Sequence, residues 1–302
     1  MYQVKSPISD HLADELEAHF CESDEPVHWS IENIPGGHDF QLFGFFNNPE
    51  QADEAWVNLR EDFPDIPESK EGFQLPDRDW AEAYKDHFQP WSCNGLHWVP
   101  LWERDDYEVP EGEVALYLDP GMAFGTGNHP TTRLCVEGLL DFTADLDPQS
   151  REEVNIVDAG CGSGILALSA SLLGFSRISA FDIDADSIRI CHENAIMNQL
   201  EGAVSFTECG LDDGLPSGKA DLLLANILAN VLTDYRESLL LALRDKPGST
   251  LVLSGILQKE VETLTNAFRE SAKSLNLQFQ ISRADLGQWS SVTFVRQANP
   301  SV

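Results

Sequence analysis

Positive charge is scarce in this sequence of 302 residues. It has 19 lysines and arginines against 51 aspartates and glutamates, which leaves a formal net charge of −32 at pH 7. Affinity for a nucleic-acid backbone comes largely from lysine and arginine. The deficit therefore argues against direct nucleic-acid binding as the main function and favours a basic partner. A second interpretation stays open, in which the acidic surface serves solubility alone, including solubility at high salt.

The sequence also lacks the signals of export, membrane insertion and metal binding. No apolar run approaches the roughly 18 residues that a membrane-spanning helix needs, and the N-terminus turns polar too early for a signal peptide. The six cysteines form no C-x-x-C pair, and the eight histidines form no H-E-x-x-H motif. These absences predict a cytoplasmic protein with reduced thiols, no membrane association and no metal site.

Residues 1–72 are predicted to form a small α/β domain. Its apolar patterns predict strands over 2–8, 27–34 and 39–46 and helices over 9–22 and 49–62. Ser9 or Asp10 can cap the first helix, and Pro49 stands where the second should begin. An acidic stretch punctuated by prolines follows, and it marks the domain boundary.

Residues 73–109 form a tryptophan-rich connector that is too apolar for a solvated linker, so we expect it to pack between two domains. Residues 110–302 then alternate strands with helices, which predicts a parallel sheet. The last two apolar runs, 277–286 and 290–297, are separated by three residues only and predict an antiparallel hairpin at one sheet edge. A Rossmann-like α/β sheet of five parallel strands closed by such a hairpin is typical of class I methyltransferases, whereas a dinucleotide-binding sheet usually continues with another helical crossover.

The run NIVDAGCGSG places an apolar strand directly before three glycines, Gly160, Gly162 and Gly164. Glycine lets the chain turn sharply beneath a ligand, and the free N–H groups of the following helix face that space. A plain strand-to-helix turn is the alternative. A dinucleotide fingerprint would require glycine where Ile165 stands. Asp158, two residues before the first glycine, suits a cofactor that carries an ammonium and a sulfonium but no phosphate.

Two further strand ends supply polar side chains. Asp182 stands 22 residues after Gly160, where a carboxylate can accept hydrogen bonds from both hydroxyls of a ribose. Asp184 or Asp186 is expected to cap the next helix. Asn226 ends the fourth strand, where its amide oxygen can orient an amine so that the lone pair points at a methyl carbon. A simple turn residue at that strand end is the alternative.

The loop LDPGMAFGTGNHPTT precedes these strands and is predicted to act as a lid. Phe124 of this loop is expected to contact the cofactor. Thr131 or Thr132 is expected to cap the following helix, and Thr132 can also reach the cofactor. His129 is assigned a structural role. The predicted cofactor contacts are Phe124, Thr132, Asp158, Gly160, Gly162, Gly164, Asp182 and Asn226.

The segments LDPGMAFGTGNHPTT, VDAGCGSGILAL, AFDIDADS and LLANILANVL resemble, in this order and spacing, the bacterial methyltransferases that modify ribosomal protein L11. The resemblance covers residues 77–302 and includes Trp80, Lys85 and Phe88 of the connector. Asn128 replaces a threonine of the family's loop. The resemblance implies that Thr132, Gly160, Asp182 and Asn226 contact S-adenosylmethionine.

The resemblance implies methylation of lysine side chains or of an N-terminal amine on a basic ribosomal protein. The position of Asn226 at the strand end makes it the predicted catalytic residue. The resemblance also implies that the N-terminal domain holds this substrate while the connector repositions it. Two alternatives remain: a protein-lysine methyltransferase for another protein, and a cofactor-binding module without turnover. A pure binder has no need of Asn226. An RNA methyltransferase would require a compact patch of lysine and arginine. The sequence leaves the oligomeric state undetermined.

Overall fold

The computed structural model describes residues 2–22, 29–33, 40–74, 89–119, 129–144 and 146–298. The chain divides into two compact units, Met1–Trp80 and Ala81–Val302. No helix in the described ranges is both long and apolar enough to cross a membrane.

The first unit is an antiparallel sheet with two helices. Its elements are β1 (Tyr2–Ile8), α1 (Asp10–Glu22), β2 (Trp29–Asn33), β3 (Phe40–Phe46), α2 (Pro49–Asp62) and β4 (Glu71–Gln74). The strands lie in the order β2-β3-β1-β4. Val4, Leu16 and Leu42 are fully buried between sheet and helices, together with Trp56. The sequence analysis did not predict β4, because all four of its residues are exposed and show no alternation.

Both helices of this unit begin at side-chain caps. Ser9 Oγ accepts a hydrogen bond from the Leu12 amide at 3.3 Å, and Asn48 Oδ1 accepts one from the Gln51 amide at 2.9 Å. Such caps satisfy amide groups that have no partner within the helix. The predicted start of α2 at Pro49 is confirmed.

The second unit opens with a small sheet that the sequence analysis did not predict. It consists of β5 (Trp91–Cys93), β6 (Leu96–Pro100) and β7 (Val114–Leu118), with a short 3-10 helix at Leu101–Glu103. Strands β5 and β6 form a hairpin whose turn residues, Asn94 and Gly95, both have positive φ. Trp98 is fully buried in the core of the second unit. Strands β6 and β7 therefore belong to the core of the second unit, where β7 packs against the helices Ile165–Leu172 and Ala185–Met197.

The large sheet has seven strands in the order β10-β9-β8-β11-β12-β14-β13. Its strands are β8 (Asn155–Ala159), β9 (Arg177–Asp182), β10 (Val204–Glu208), β11 (Leu222–Asn226), β12 (Thr250–Leu257), β13 (Phe279–Leu286) and β14 (Trp289–Arg296). The helices are α3 (Pro130–Ala144), α4 (Pro148–Arg151), α5 (Ile165–Leu172), α6 (Ala185–Met197), α7 (Leu211–Gly214), α8 (Ala229–Asp234), α9 (Arg236–Ala242) and α10 (Val261–Ser274). Strands β8 to β12 are parallel, and the hairpin β13–β14 closes one edge. The predicted class I methyltransferase fold is confirmed.

Helices cover both faces of this sheet and define two apolar layers. One layer contains residues of α3, α5 and α6, and the other contains residues of α8, α9 and α10. Side chains of the central strand β11 alternate between the layers and are buried on both faces, as expected for an inner parallel strand. The chain order reverses between β8 and β11, and open α/β sheets bind ligands at the carboxyl ends of such strands.

Candidate active site

The turn between β8 and α5 depends on three glycines in the left-handed region of φ. Gly160, Gly162 and Gly164 have φ values of +74°, +52° and +79°, which other residues adopt only with strain. A Cβ on Gly160 would stand 2.4 Å from Ile227 Cγ2. The turn is therefore closely packed against the end of the neighbouring strand β11, and only glycine fits there.

Asp182, the last residue of β9, ties this turn to its neighbour strand. Its Oδ2 accepts a hydrogen bond from the Gly162 amide at 2.9 Å. The Gly160 and Cys161 amides both donate to the Phe181 carbonyl, at 2.9 and 3.0 Å. The Asp182 carboxylate is half-buried, so its oxygens can accept further hydrogen bonds from a ligand at the sheet edge. Asp184 caps α6 through the Asp186 amide at 3.0 Å, as expected.

Asp158 is fully buried, and only one of its oxygens has a partner. Oδ2 accepts a hydrogen bond from the Ala167 amide at 3.1 Å, while Oδ1 has no hydrogen-bond partner among the described residues. The pKa of Asp158 is raised to about 7, mainly by burial; the Ala167 hydrogen bond opposes the rise, and the charge of Asp182 adds to it. A buried carboxylate oxygen without a donor favours a cationic ligand group.

Asn226 and Thr132 meet although 94 residues separate them. Asn226 Nδ2 donates to Thr132 Oγ1 at 3.4 Å, and Asn226 Oδ1 is buried with no partner in the described part of the chain. Thr132 is fully buried and lies in the first turn of α3. The expected cap at Thr131 or Thr132 is wrong, because α3 already begins at Pro130. Proline favours this first position, since its missing N–H would have no helical partner.

His129 immediately precedes α3, close to Thr131 and Thr132. Its Nδ1 is 2.7 Å from Thr131 Oγ1, and its ring meets that of Trp289 edge-on. Burial lowers the pKa of His129. Phe124 and the rest of the loop 120–128 lie outside the described residues, as do Trp80, Lys85 and Phe88.

Three positions that shape the site were missed by the sequence analysis. Asn194 Nδ2 donates to the Ser163 carbonyl at 2.9 Å, and its Oδ1 accepts from the Asp119 amide at 3.0 Å. Cys191 donates to the Gly162 carbonyl at 3.2 Å. Both lie mid-helix in α6, and nothing local distinguishes them. The third position is Gly255, within β12. Here the sequence did contain a signal of local structure, because a lone glycine in a strand indicates a bulge.

Cysteines and potential metal ligands are the other reactive groups to consider at this site. The cysteines whose side chains are described, including the neighbouring Cys161 and Cys191, are free thiols. The described ranges contain no cluster of three or more histidine, cysteine, aspartate or glutamate residues that could hold a metal ion. The buried acceptor Asp158 Oδ1, on the strand that leads into the glycine turn, fits a cofactor that has a cationic end.

Known proteins share this architecture and sequence. The family described as ribosomal protein L11 methyltransferase (PrmA) matches residues 13–297. The ribosomal protein L11 methyltransferase of Geotalea uraniireducens is 39% identical over 226 residues, 73% of this chain and 68% of that protein. The protein of the same name from Hydrogenovibrio crunogenus is 32% identical over 310 aligned positions, 98% of each chain.

A solved structure supports the same assignment. The crystal structure of ribosomal protein L11 methylase from Lactobacillus delbrueckii subsp. bulgaricus has 32% identity and a TM-score of 0.57, covering 68% of this chain and 97% of that chain. The family match reaches into the N-terminal unit, beyond the residues 77–302 that carried the resemblance. Together the fold and these matches show an S-adenosylmethionine-dependent methyltransferase, and the chain belongs to the ribosomal protein L11 methyltransferase family.

Proposed function

We propose that this enzyme transfers methyl groups from S-adenosylmethionine to amino groups of ribosomal protein L11, on lysine side chains, the N-terminal amine or both. The relatives' names support the substrate. One observation carries the choice of an amine: Asn226 Oδ1 is a buried acceptor without a described donor, at the edge where the glycine turn lies. An amine N–H can supply that missing donor.

We assign each residue of the site a separate contact with the cofactor. Gly160, Gly162 and Gly164 allow its close approach, and Asp182 accepts hydrogen bonds from ribose hydroxyls. Asp158 would balance the positive charge of its ammonium. Thr132 and Phe124 complete the set of contacts that we assign. When bound, the cofactor supplies a methyl group on a sulfonium centre.

Asn226 orients the accepting amine. A lysine of pKa about 10.4 is neutral in only about one in a few thousand molecules at pH 7, so presenting a free amine requires about 4 to 5 kcal/mol. Asn226 Oδ1 accepts one N–H of the amine and leaves the nitrogen lone pair directed at the methyl carbon. Catalysis then comes mostly from positioning. No covalent intermediate with the enzyme is needed.

The remaining parts of the chain are assigned to substrate handling. We propose residues 1–72 as the domain that holds the ribosomal protein, 73–109 as the connector that repositions it and 110–302 as the cofactor-binding domain. The net charge of −32 favours a basic partner. We also propose a cytoplasmic location, which a substrate that belongs to the ribosome supports.

Labelled methyl transfer tests this function. Purified L11 should incorporate label, whereas L11 with acetylated amines should not, and mass spectrometry should locate the methyl groups. Asn226→Ala should lower kcat about 100-fold and cofactor affinity much less. Asn266→Ala, which changes an exposed asparagine on α10, is the control. Label on another ribosomal protein but none on L11 would exclude the proposed substrate, and equal losses of kcat and affinity would make Asn226 a binding residue only.

A further inference from the structure

Strand β12 is irregular beside the reaction site. Its pairing with β14 shifts register between Leu253 and Ile256, so that Ser254 and Gly255 form a bulge. On its other side β12 stays in register with β11, and Ser254 pairs with Asn226. The bulge therefore lies next to the residue to which we assign orientation of the amine.

Gly255 allows an approach that no other residue would allow. Its φ is +85°, and a Cβ built on it would lie 2.4 Å from the carbonyl oxygen of Ile227. The Ile227 side chain is seated in the same way on Gly160, at 2.4 Å from the position of a Cβ. Ile227 directly follows Asn226, so two glycines hold the chain immediately beyond the catalytic side chain.

Ser254 makes the second contact of the bulge. It is fully buried, and its Oγ donates to the Thr131 carbonyl at 2.7 Å. Thr131 precedes Thr132, whose hydroxyl receives the hydrogen bond of Asn226 Nδ2. Ser254 thus holds the segment that carries Thr132, and Gly255 holds the segment that carries Asn226. These two segments meet in the Asn226–Thr132 hydrogen bond between β11 and α3.

We propose that the Ser254–Gly255 bulge is a positioning element that sets the Asn226–Thr132 contact and thereby the direction of the Asn226 amide oxygen. Bulges next to active sites commonly re-aim side chains. Both residues act through Asn226, by the contacts of Ser254 with Thr131 and of Gly255 with Ile227. This inference rests on the proposed function, because it assigns the bulge a role in orienting the accepted amine.

The start of β12 supplies matched controls. Gly248 has a φ of +90°, and a Cβ there would meet no described atom within 4 Å. Ser249 is 2% exposed, and its Oγ has no partner within the described ranges. Gly248→Ala therefore carries the backbone strain of Gly255→Ala without its clash. Ser249→Ala likewise removes a buried hydroxyl without removing a hydrogen bond.

The test compares the four variants in methyl transfer, cofactor binding and thermal unfolding. Ser254→Ala and Gly255→Ala should lower kcat at least about tenfold and cofactor affinity less, since small misplacements near reacting atoms have large effects on rate. Gly248→Ala and Ser249→Ala should keep the kcat of the wild type. Equal kcat in all four variants would overturn the proposal, as would losses of kcat and cofactor affinity in step. If Gly255→Ala does not fold, Ser254→Ala decides.

A second readout does not depend on the protein substrate. The side-chain amide signals of Asn226 in an NMR spectrum should shift in Ser254→Ala and stay in place in Ser249→Ala. Unshifted signals in Ser254→Ala would contradict the positioning role. A wild-type enzyme that leaves L11 unlabelled would instead refute the proposed substrate, and the NMR comparison would still decide the bulge.

Discussion

At the scale of single residues, Asp158 combines two demands that oppose each other. It is fully buried, which disfavours its charged form, yet a cationic ligand needs that charge. The structure leaves Oδ1 without a described donor instead of neutralising the group with an arginine or lysine. The ligand-free protein therefore carries a destabilising group at the site that we propose for the cofactor, a frequent feature of binding sites.

The raised pKa of Asp158 predicts a pH dependence of stability. Its pKa is about 7 in the folded protein against 3.8 for the free group, so the folded state binds the proton more tightly. Stability from this group is fully present below about pH 4 and is lost as the pH rises through 7, by about 4 kcal/mol in all. The free energy of unfolding of the ligand-free protein, measured with denaturant between pH 5 and pH 8, should fall with rising pH. In Asp158→Asn the same free energy should depend less on pH. Parallel profiles would contradict the assignment.

Asp182 predicts a direct effect on cofactor binding. Asp182→Ala removes a carboxylate that accepts from Gly162 and, in our proposal, from the ribose. The expected loss of cofactor affinity by calorimetry is about 1.5 to 3 kcal/mol, as for losing hydrogen bonds to a charged group. Asp184→Ala is the matched control, because it removes a nearby carboxylate whose partners, the Asp186 amide and Ser187 Oγ, both lie in the first turn of α6. Unchanged affinity in Asp182→Ala would remove the residue from the site.

At the scale of elements, the small sheet β5-β6-β7 adds a layer that strand and helix patterns did not reveal. Its strands are only three to five residues long, too short for a periodic signal. Of the tryptophans that marked this stretch as apolar, Trp98 is buried, and Trp91 and Trp102 are partly buried. Where they pack depends on α3 and α5, which lie far along the chain.

This layer predicts unequal effects of two tryptophan substitutions. Trp98 Nε1 donates to Ser169 Oγ at 2.8 Å, and both side chains are fully buried. Trp98→Phe should lower the free energy of unfolding by about 1 to 3 kcal/mol beyond the loss of apolar volume. Trp91 stacks on Trp98 with 3.9 Å between the ring centroids, and its Nε1 has no hydrogen-bond partner in the described structure. Trp91→Phe should therefore have a smaller effect in chemical denaturation, and the reverse order would contradict the hydrogen bond's importance.

At the scale of the whole molecule, charge has two opposing consequences that salt can separate. A net charge of −32 destabilises the compact state by self-repulsion, and in our proposal it attracts a basic substrate. Raising the ionic strength from about 0.01 to 0.15 M shortens the screening length from about 30 to 8 Å. Both effects should weaken together.

We accordingly expect sodium chloride to raise the free energy of unfolding and to raise KM for L11 over the same range. Sucrose, which adds no charge, should raise stability without raising KM. A KM independent of salt would show that the acidic surface serves solubility alone. The measurements are denaturant unfolding and steady-state methyl transfer at matched salt concentrations.

Much of this protein follows from local sequence. Alternating strands and helices predict the parallel sheet, and the closing hairpin follows from two apolar runs separated by three residues. The Asp158 to Gly164 turn and Asp182 could be located because strand ends of a parallel sheet meet at one edge. These features depend on residues close together in the chain, where backbone geometry and periodicity dominate.

Only the tertiary structure decided how the site is assembled. Among the described residues, packing leaves Asp158 Oδ1 without a donor. The Asn226–Thr132 contact and the Ser254–Thr131 hydrogen bond join segments far apart in sequence. Each arises where packed elements bring distant groups within hydrogen-bond reach, and no local propensity encodes that arrangement. The sequence determined which groups stand at the edge of the sheet. The packing of α3, β11 and β12 determined which of them touch and which acceptors are left for ligands.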